Sequence, residues 1–300
     1  MVYSEAALRA YIGACRSLFR SNAEFHELFP DLTALEQQVP GRKENLEEYW
    51  NPQLQRLAAQ GTDGMLCVFD PQFPAVPPKV RRGNRPCLLF YRGNIELLQA
   101  PCRVAVIGTT RPDPSVVPRE EAAVNALVKG GAVIVSGLAL GCDSIAHRAC
   151  LAGGGKTIAV LPSSLGHILP AANRPLAEEI VKNGGLLLTE YPAETADRYS
   201  LSGRYIARDR LEAYFSHAVL LAASNRKSDG TCGSRHAMEK AERHGIRRYA
   251  IYQPELDEDR LCMGLNRDYV EQKRAKAFIE ADAAVICGTG EDPADQQSLF

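Results

Sequence analysis

Three glycine- and hydroxyl-rich loops carry the residue types that can bind a phosphate group in this chain. Each loop follows a short apolar run and leads into a helical pattern, where free backbone amides favour an anion. Glycine allows a ligand to approach the backbone closely, and serine and threonine add hydrogen-bonding hydroxyls. The pattern predicts a row of phosphate sites formed by Gly108, Thr109, Ser136, Gly137, Gly141, Gly230, Thr231, Gly233 and Ser234.

Arginine residues supply positive charge for such sites. Arg111 follows the first loop, and Arg208 and Arg210 flank Asp209 in a later helical pattern, close to Tyr205. A guanidinium presents a planar fork of donors to phosphate, and an aromatic ring can stack on a base. Two guanidinium groups this close are not both buried unless anions neutralise them. We therefore predict that all three arginines contact nucleic acid, with a solvated helix face as the alternative.

Two carboxylates and a histidine raise the question of acid–base chemistry. Asp143 and His147 lie four residues apart on one helix face, which suits a general acid–base dyad. The same spacing is explained by Asp143 capping the helix and His147 being hydrogen-bonded locally, and we favour these structural roles. Glu190 would repel phosphate, so we expect it to organise loops by accepting hydrogen bonds. We predict no catalytic residue, no metal ion and no cofactor.

The elements that must position these loops alternate regularly from residue 103 to residue 251. Short runs rich in valine and isoleucine alternate with helical patterns, which predicts an α/β fold: a doubly wound, mostly parallel sheet in a Rossmann-like three-layer sandwich. The dinucleotide fingerprint G-x-G-x-x-G is absent, which disfavours a dehydrogenase. We predict strands at 65–69, 87–91, 103–107, 132–135, 157–161, 185–188, 217–222 and 247–251, and helices near 118–129, 142–152, 173–183, 204–215 and 233–244.

The chain divides into three predicted regions. Residues 1–62 form a helical N-terminal module in which Ser4 can cap the first helix, residues 63–253 form the Rossmann-like domain, and residues 254–300 form an extension with a flexible tail. We expect a helix near 268–280 within the extension and a further apolar run at 283–287.

Composition limits the classes of function. A net charge of −1 does not by itself indicate a nucleic-acid-binding protein, so any binding of nucleic acid must come from a local basic patch. No apolar segment has the roughly 20 residues that a membrane helix needs, and we see no secretory signal. Nine cysteines without a Cys-x-x-Cys pair indicate reduced thiols. We therefore expect a cytoplasmic protein with no membrane partner.

The order of the motifs resembles the DNA-processing protein A family, also called Smf, across roughly residues 65 to 275. The resemblance rests on strings that include VAVIGTTR, VSGLALGCDSIAH, ARDRLEAYFSHAVLLAAS and GTCGSRHAMEKA. It implies a homodimer that binds single-stranded DNA without catalysis and helps to load a RecA-type recombinase during natural transformation. It also implies that the glycine loops, Arg111 and the Arg208–Arg210 pair contact the strand. Asp209 departs from the family pattern, which has asparagine at this position.

A wider group of Rossmann-like proteins provides the second hypothesis, a nucleotide-binding sensor or a nucleoside-monophosphate phosphoribohydrolase. Hydrolases of that group resemble this chain through a Pro-Gly-Gly-x-Gly-Thr-x-x-Glu loop. Gly230 and Thr231 match the loop, but Ser234 stands where the glutamate is required. The hydrolase hypothesis therefore lacks its general acid–base.

The C-terminal residues resemble a peptide that bacterial proteins insert into the sliding clamp. Gln296 begins a five-residue segment that ends in Leu299 and Phe300, and an apolar anchor of this kind can dock in a pocket. We predict clamp binding through this tail, with a frayed terminus as the alternative.

Overall fold

The structure is a computed structural model that describes residues 1–195, 197–226, 228 and 233–289. Strands and helices alternate through most of this part of the chain. The strands are β1 Val2–Tyr3, β2 Gly64–Cys67, β3 Leu88–Gly93, β4 Arg103–Ile107, β5 Val133–Ser136, β6 Thr157–Val160, β7 Leu186–Thr189, β8 Ala218–Leu221, β9 Arg247–Ala250 and β10 Lys276–Ala277. The α-helices are α1 Glu5–Cys15, α2 Asn22–Leu28, α3 Leu32–Gln38, α4 Lys43–Ala59, α5 Val117–Lys129, α6 Cys142–Ala152, α7 Arg174–Lys182, α8 Arg198–Tyr214, α9 Arg235–Arg243, α10 Pro254–Asp257, α11 Gly264–Glu271 and α12 Asp282–Ile286.

The ten strands of the described residues form one sheet in the order β1–β2–β3–β7–β6–β5–β4–β8–β9–β10. Strand β3 is antiparallel to β2 and β7, and the other neighbouring strands are parallel. The chain moves outward from β4 to β7 and then returns to place β8 on the other side of β4. In such a sheet a ligand crevice opens at the carboxyl ends of the strands where the order reverses. Here the reversal lies between β4 and β8.

Central strand β4 supplies side chains to two apolar layers, because successive residues of a strand point to opposite faces. Val104 and Val106 belong to the same core cluster as residues of α5 and α6. Ala105 and Ile107 belong to the cluster that contains residues of α8 and α9. Helices therefore cover both faces of the sheet, and the predicted doubly wound, mostly parallel three-layer fold is confirmed.

The N-terminal helices cover part of one face of the sheet. As predicted, Ser4 caps α1, and its hydroxyl accepts a hydrogen bond from the amide of Ala7 at 2.9 Å. Strand β1 was not predicted; it pairs in parallel with β2. Tyr11 of α1 packs edge-on against Phe90 of β3, with ring centroids 5.8 Å apart. Apolar side chains on both sides of the predicted boundary at residue 62 thus share one core.

The C-terminal extension continues the sheet. The helix predicted near 268–280 is wrong in its second half, because α11 ends at Glu271 and Lys273 has a positive φ of 55° that turns the chain. Lys276 and Ala277 then pair in parallel with β9. Helix α12 covers most of the predicted apolar run at 283–287. None of the described helices combines the length and the apolar character that a membrane crossing needs.

Candidate nucleic-acid interface

The loops after β4, β5 and β8 line one cavity of about 250 Å³, which we call the crevice. It lies at the carboxyl edge of the sheet, where the strand order reverses. The crevice brings together these predicted site residues: Gly108, Thr109, Arg208, Gly233 and Ser234. Its wall also contains Ile107, Thr110, Ala139, Asp143, Tyr205, Asp209 and Glu212. The predicted convergence of separate loops on one edge is therefore present in the fold.

Three glycines bring the walls of the crevice close together. A Cβ atom on Gly137 would lie 0.8 Å from Nη1 of Arg208, so any side chain there would displace the guanidinium. A Cβ on Gly108 would lie 2.5 Å from Sγ of Cys142. Gly141 has a φ of +73°, and its Cβ would lie 2.4 Å from a carbonyl oxygen of the loop after β4. These glycines are required by close packing between protein groups, rather than by the close approach of a ligand that we predicted.

Arg208 is surrounded by three carboxylates. Its Nη1 lies 3.3 Å from Oδ2 of Asp143 and 3.1 Å from Oε1 of Glu212, and its Nε lies 3.2 Å from Oδ1 of Asp209. All four side chains are buried. The anions expected around Arg208 are thus carboxylates of the protein. Because the guanidinium faces these groups, we revise the predicted role of Arg208 from phosphate ligand to organiser of the crevice wall.

Burial changes the titration of this cluster. It raises the pKa of Asp209 to about 7, although the nearby Arg208 opposes the shift. It also raises the pKa of Glu212 well above the ordinary value, again against the effect of Arg208. Burial alone would lower the pKa of Arg208, but the three carboxylates hold it above its ordinary value. The wall therefore combines a permanent cation with Asp209, a carboxyl group that is partly protonated near pH 7 and can then donate as well as accept hydrogen bonds.

Arg210 points away from the crevice, because residues two apart on a helix do not share a face. Its Nη2 lies 2.7 Å from Oε1 of Glu190, and its Nε donates to the carbonyl of Asn84 at 2.9 Å. Glu190 also accepts a hydrogen bond from Asn22 at 3.0 Å, so it organises loops as we expected. The prediction that Arg208 and Arg210 contact one strand as a pair is corrected, since both are buried against different carboxylates.

Asp143 and His147 have structural roles, but not by the predicted contacts. Gly141 occupies the N-cap position of α6, and Asp143 accepts a hydrogen bond from the amide of Ala139 at 3.1 Å. His147 does not pair with Asp143; its Nδ1 lies 2.7 Å from Oγ1 of Thr157. The Thr157 hydroxyl donates to a carbonyl of β5, so Nδ1 of His147 must be the donor in their bond.

Two predicted hydroxyl ligands make contacts inside the protein. Ser136 is fully buried and donates to the carbonyl of Val106 at 2.7 Å, so it supports the sheet rather than the crevice. Oγ of Ser234 lies 2.8 Å from Oγ of Ser224. The remaining predicted site residues lie outside the described part of the chain: Gly230, Thr231, Gln296, Leu299 and Phe300.

Arg111 is exposed, follows Thr110 of the crevice wall and forms no ion pair with the described residues. The preceding Thr109 is fixed at both ends, since its amide donates to the carbonyl of Ala223 at 2.7 Å and its carbonyl accepts from the amide of Cys142 at 3.1 Å. This loop therefore ties the end of β8 to the start of α6. Arg111 thus follows directly after an anchored loop whose Thr109 and Thr110 line the crevice.

Glu212 is a crevice residue that sequence reasoning did not assign, whereas Tyr205 was noted as an aromatic neighbour of the arginines. Glu212 lies four positions after Arg208, which is the spacing of an ion pair on a helix, so its role was accessible from the sequence. The Tyr205 ring faces the same guanidinium, and Cζ of Arg208 lies 5.9 Å from the ring centroid. Within the described residues no group of three or more His, Cys, Asp or Glu side chains could hold a metal ion.

Comparison with known proteins agrees with this architecture. The family model described as DNA recombination-mediator protein A matches residues 64–286. DNA processing protein DprA of Streptococcus pneumoniae is 37% identical over 158 residues, which are 52% of this chain and 54% of that protein. The chain spans about half the length of the first curated relatives it matches.

Two solved structures have the same fold. The crystal structure of the Streptococcus pneumoniae protein has a TM-score of 0.64 and 24% identity, covering 93% of this chain and 92% of that one. DNA processing protein A of Helicobacter pylori, studied for its single-stranded DNA binding mode, has a TM-score of 0.61 and 28% identity, covering 75% of this chain and 96% of that one. The family match includes β2 to α12 and every wall residue of the crevice. The chain belongs to the DNA recombination-mediator protein A family.

Proposed function

We propose that the chain binds single-stranded DNA at the crevice and acts as a recombination mediator, without catalysing a covalent step. The observation that carries the proposal is the convergence of the loops after β4, β5 and β8 on one cavity, with the exposed Arg111 directly after Thr110 of its wall. Membership of the family supports it, as does the single-stranded DNA binding of the Helicobacter pylori relative.

The charges of the crevice suggest how a strand lies in it. A phosphate is repelled by the carboxylates around Arg208, so we place phosphates at the rim beside Arg111. The carboxyl groups of Asp209 and Glu212 can exchange hydrogen bonds with the edge of a base, so we place a base in the interior. The volume of about 250 Å³ is below the roughly 300–1,000 Å³ of sites that enclose a whole small ligand. Such a cavity suits one part of a longer chain.

Fluorescence anisotropy with a labelled single-stranded oligonucleotide tests this placement. Arg111→Gln is expected to weaken binding and to make the salt dependence less steep by about 0.7, the value for one lost phosphate contact on a single strand. Arg148→Gln is the charge-matched control, because Arg148 is exposed on α6 and does not line the crevice. Equal salt dependence for the native protein and Arg111→Gln would contradict the role of Arg111.

A second candidate function, recognition of a small nucleotide, is favoured by one observation. Asp209 has a pKa of about 7 because it is buried, and a carboxyl group with that property in a cleft is a candidate acid–base. Ser234 offers no such group, since its hydroxyl contacts Ser224. Incubation with AMP and detection of free adenine tests hydrolysis, and calorimetry with AMP tests a sensor. Adenine release that Asp209→Asn abolishes would establish the hydrolase instead.

Three partner predictions belong to the same proposal. A RecA-type recombinase would receive the strand, a second copy of the chain would form a homodimer, and the sliding clamp would bind Gln296, Leu299 and Phe300. Size-exclusion chromatography with light scattering tests the dimer. Pull-down of purified recombinase and clamp tests the other two, with deletion of residues 296–300 as the control for the clamp.

A further inference from the structure

Helix α8 separates the crevice from a larger cavity on its other side. This second cavity has a volume of about 580 Å³ and lies between α8, the end of α1 and the segment before β3. Tyr205 and Arg208 of α8 line the crevice, whereas Ile206 and Arg210 line the second cavity. The two cavities are therefore only one helix apart. A flexible chain that occupies the crevice can reach the second cavity by crossing α8.

Cations that form no ion pair with the described residues lie in and beside the second cavity. Arg20 and Lys240 line it, and Arg81 and Arg243 are close enough to Lys240 to influence its titration. Arg20, Arg81 and Arg243 are exposed, and none of these four side chains forms an ion pair with the described residues. The acidic residue in the lining, Glu190, is already bonded to Asn22 and Arg210. We call the cavity and these four cations the basic groove.

The cations of the basic groove lie close enough to repel one another. Burial lowers the pKa of Lys240, and the neighbouring Arg243, Arg210 and Arg81 add to this effect, whereas Glu239 opposes it. In a chain with a net charge of −1, such a concentration of unpaired positive charge on one surface is unusual and favours an anionic partner. Apolar side chains lie beside the cations, among them Phe19 and the half-exposed Ile206. Cations beside apolar surface suit a single strand, which presents phosphates and unstacked bases together.

We propose that the basic groove is a second contact surface for single-stranded nucleic acid, continuous with the crevice across α8. Phosphates lie against Arg20, Arg81, Lys240 and Arg243, and bases lie against Phe19 and Ile206. This inference rests on the proposed function, because it extends the path of a strand that the crevice binds. It follows that a short oligonucleotide occupies the crevice alone, whereas a longer one also occupies the groove.

The experiment compares two triple variants of the full chain by fluorescence anisotropy. Arg81→Gln/Lys240→Gln/Arg243→Gln removes three charges from the groove. Lys129→Gln/Arg148→Gln/Lys182→Gln removes three exposed charges from α5, α6 and α7. The probes are labelled deoxythymidine oligomers of about 4 and about 20 nucleotides, lengths that span the usual site sizes on one domain. Circular dichroism confirms that each variant is folded.

The groove variant is expected to reduce the salt dependence of binding to the long oligomer by about 2, or 0.7 for each lost phosphate contact, and to leave binding of the short oligomer nearly unchanged. The control variant should leave both unchanged, and Arg81→Lys/Arg243→Lys should retain the native salt dependence. If the groove variant keeps the native salt dependence, or loses equal affinity for both oligomers, the inference about the basic groove is overturned and the proposed function is not. Failure of the native protein to bind either oligomer would overturn the proposed function as well.

Discussion

Gly137 and Arg208 are packed so closely that the glycine has no room for a side chain. A Cβ on Gly137 would lie 0.8 Å from Nη1 of Arg208, inside the guanidinium that holds Asp143 and Glu212. The loop after β5 and helix α8 are far apart in sequence, yet this contact joins them. The crevice wall therefore requires glycine at position 137, because any side chain there would displace Arg208.

The first prediction is that Gly137→Ala destabilises the fold. Displacing Arg208 would leave buried carboxylates without their cation, and breaking a buried ion pair in this way costs about 3–5 kcal/mol. We expect a loss of at least about 2 kcal/mol in the free energy of unfolding, measured by urea denaturation. Gly203→Ala is the control, because open space surrounds Gly203 in α8, and it should be neutral or stabilising. Equal stability of Gly137→Ala and the native protein would show that the wall does not need this packing.

The second prediction concerns Asp209 and pH. Because burial raises its pKa to about 7, the folded protein holds a proton that the unfolded chain releases near pH 4. The stability from protonated Asp209 is therefore complete below about pH 4 and is lost as the pH rises through about 7. The Asp209→Asn variant has no carboxyl group to ionise at this position. Its free energy of unfolding, relative to that of the native protein, should therefore increase by about 1 kcal/mol per pH unit between about pH 4 and pH 7.

Thermal or urea unfolding at several pH values between 4 and 8 measures this difference. Asp259→Asn serves as the control, because Asp259 is exposed and its replacement should not change the pH dependence. A difference between Asp209→Asn and the native protein that stays constant from pH 4 to pH 8 would contradict the buried, protonated state of Asp209.

The third prediction is that His147 stays neutral in mildly acidic solution. Burial, with a smaller effect of the nearby Arg208, lowers the pKa of His147 to about 3. In the unfolded chain a histidine titrates near 6.5, so the stability from neutral His147 is present above that value and is lost as the pH falls toward 3. NMR of the imidazole resonances should show His147 unprotonated at pH 5, with Nδ1 carrying the proton. A titration midpoint near 6.5 for this residue would be the contrary result.

The fourth prediction is that burial decides the strength of two otherwise similar ion pairs. The Arg210–Glu190 pair is buried, whereas the bidentate Arg92–Glu178 pair is largely exposed. Removing Arg210 alone leaves Glu190 uncompensated and should destabilise the protein by about 3 kcal/mol. Removing Arg92 alone should change stability by less than about 1 kcal/mol. Double-mutant cycles with glutamine on both pairs measure the two coupling energies, and equal coupling would contradict this account.

The alternating strands and helices were predictable because their signals are local. Apolar runs of four or five residues fixed β4 to β9, and helical periodicity fixed α5 to α9. The start of α8 was missed, although Asp197 caps it by accepting hydrogen bonds from the amides of Tyr199 and Ser200. Strands β1 and β10 have two residues each and exist only because a partner strand lies beside them, so no local pattern could reveal them.

The residue types of the site were predictable, but their directions were not. Arg208 and Arg210 lie on different faces of α8, and the cavity that each face lines depends on the elements packed against the helix, which no local pattern shows. Gly137 was assigned to a ligand because its neighbour Arg208 is distant in sequence. The phosphate contact of Arg111 stays a prediction, and the structure shows that its side chain is exposed next to Thr110 of the crevice wall.

The most direct measurement is the affinity of the native protein for a single-stranded oligonucleotide compared with a mononucleotide, by calorimetry in one buffer. The phosphate contacts proposed at Arg111 and in the basic groove, and a cavity that encloses only part of a strand, predict much tighter binding of the oligonucleotide, by a factor of about 100 or more, with a steep dependence on salt. Equal affinities, or tighter binding of AMP with little salt dependence, would contradict the account and identify the crevice as a site for a small nucleotide.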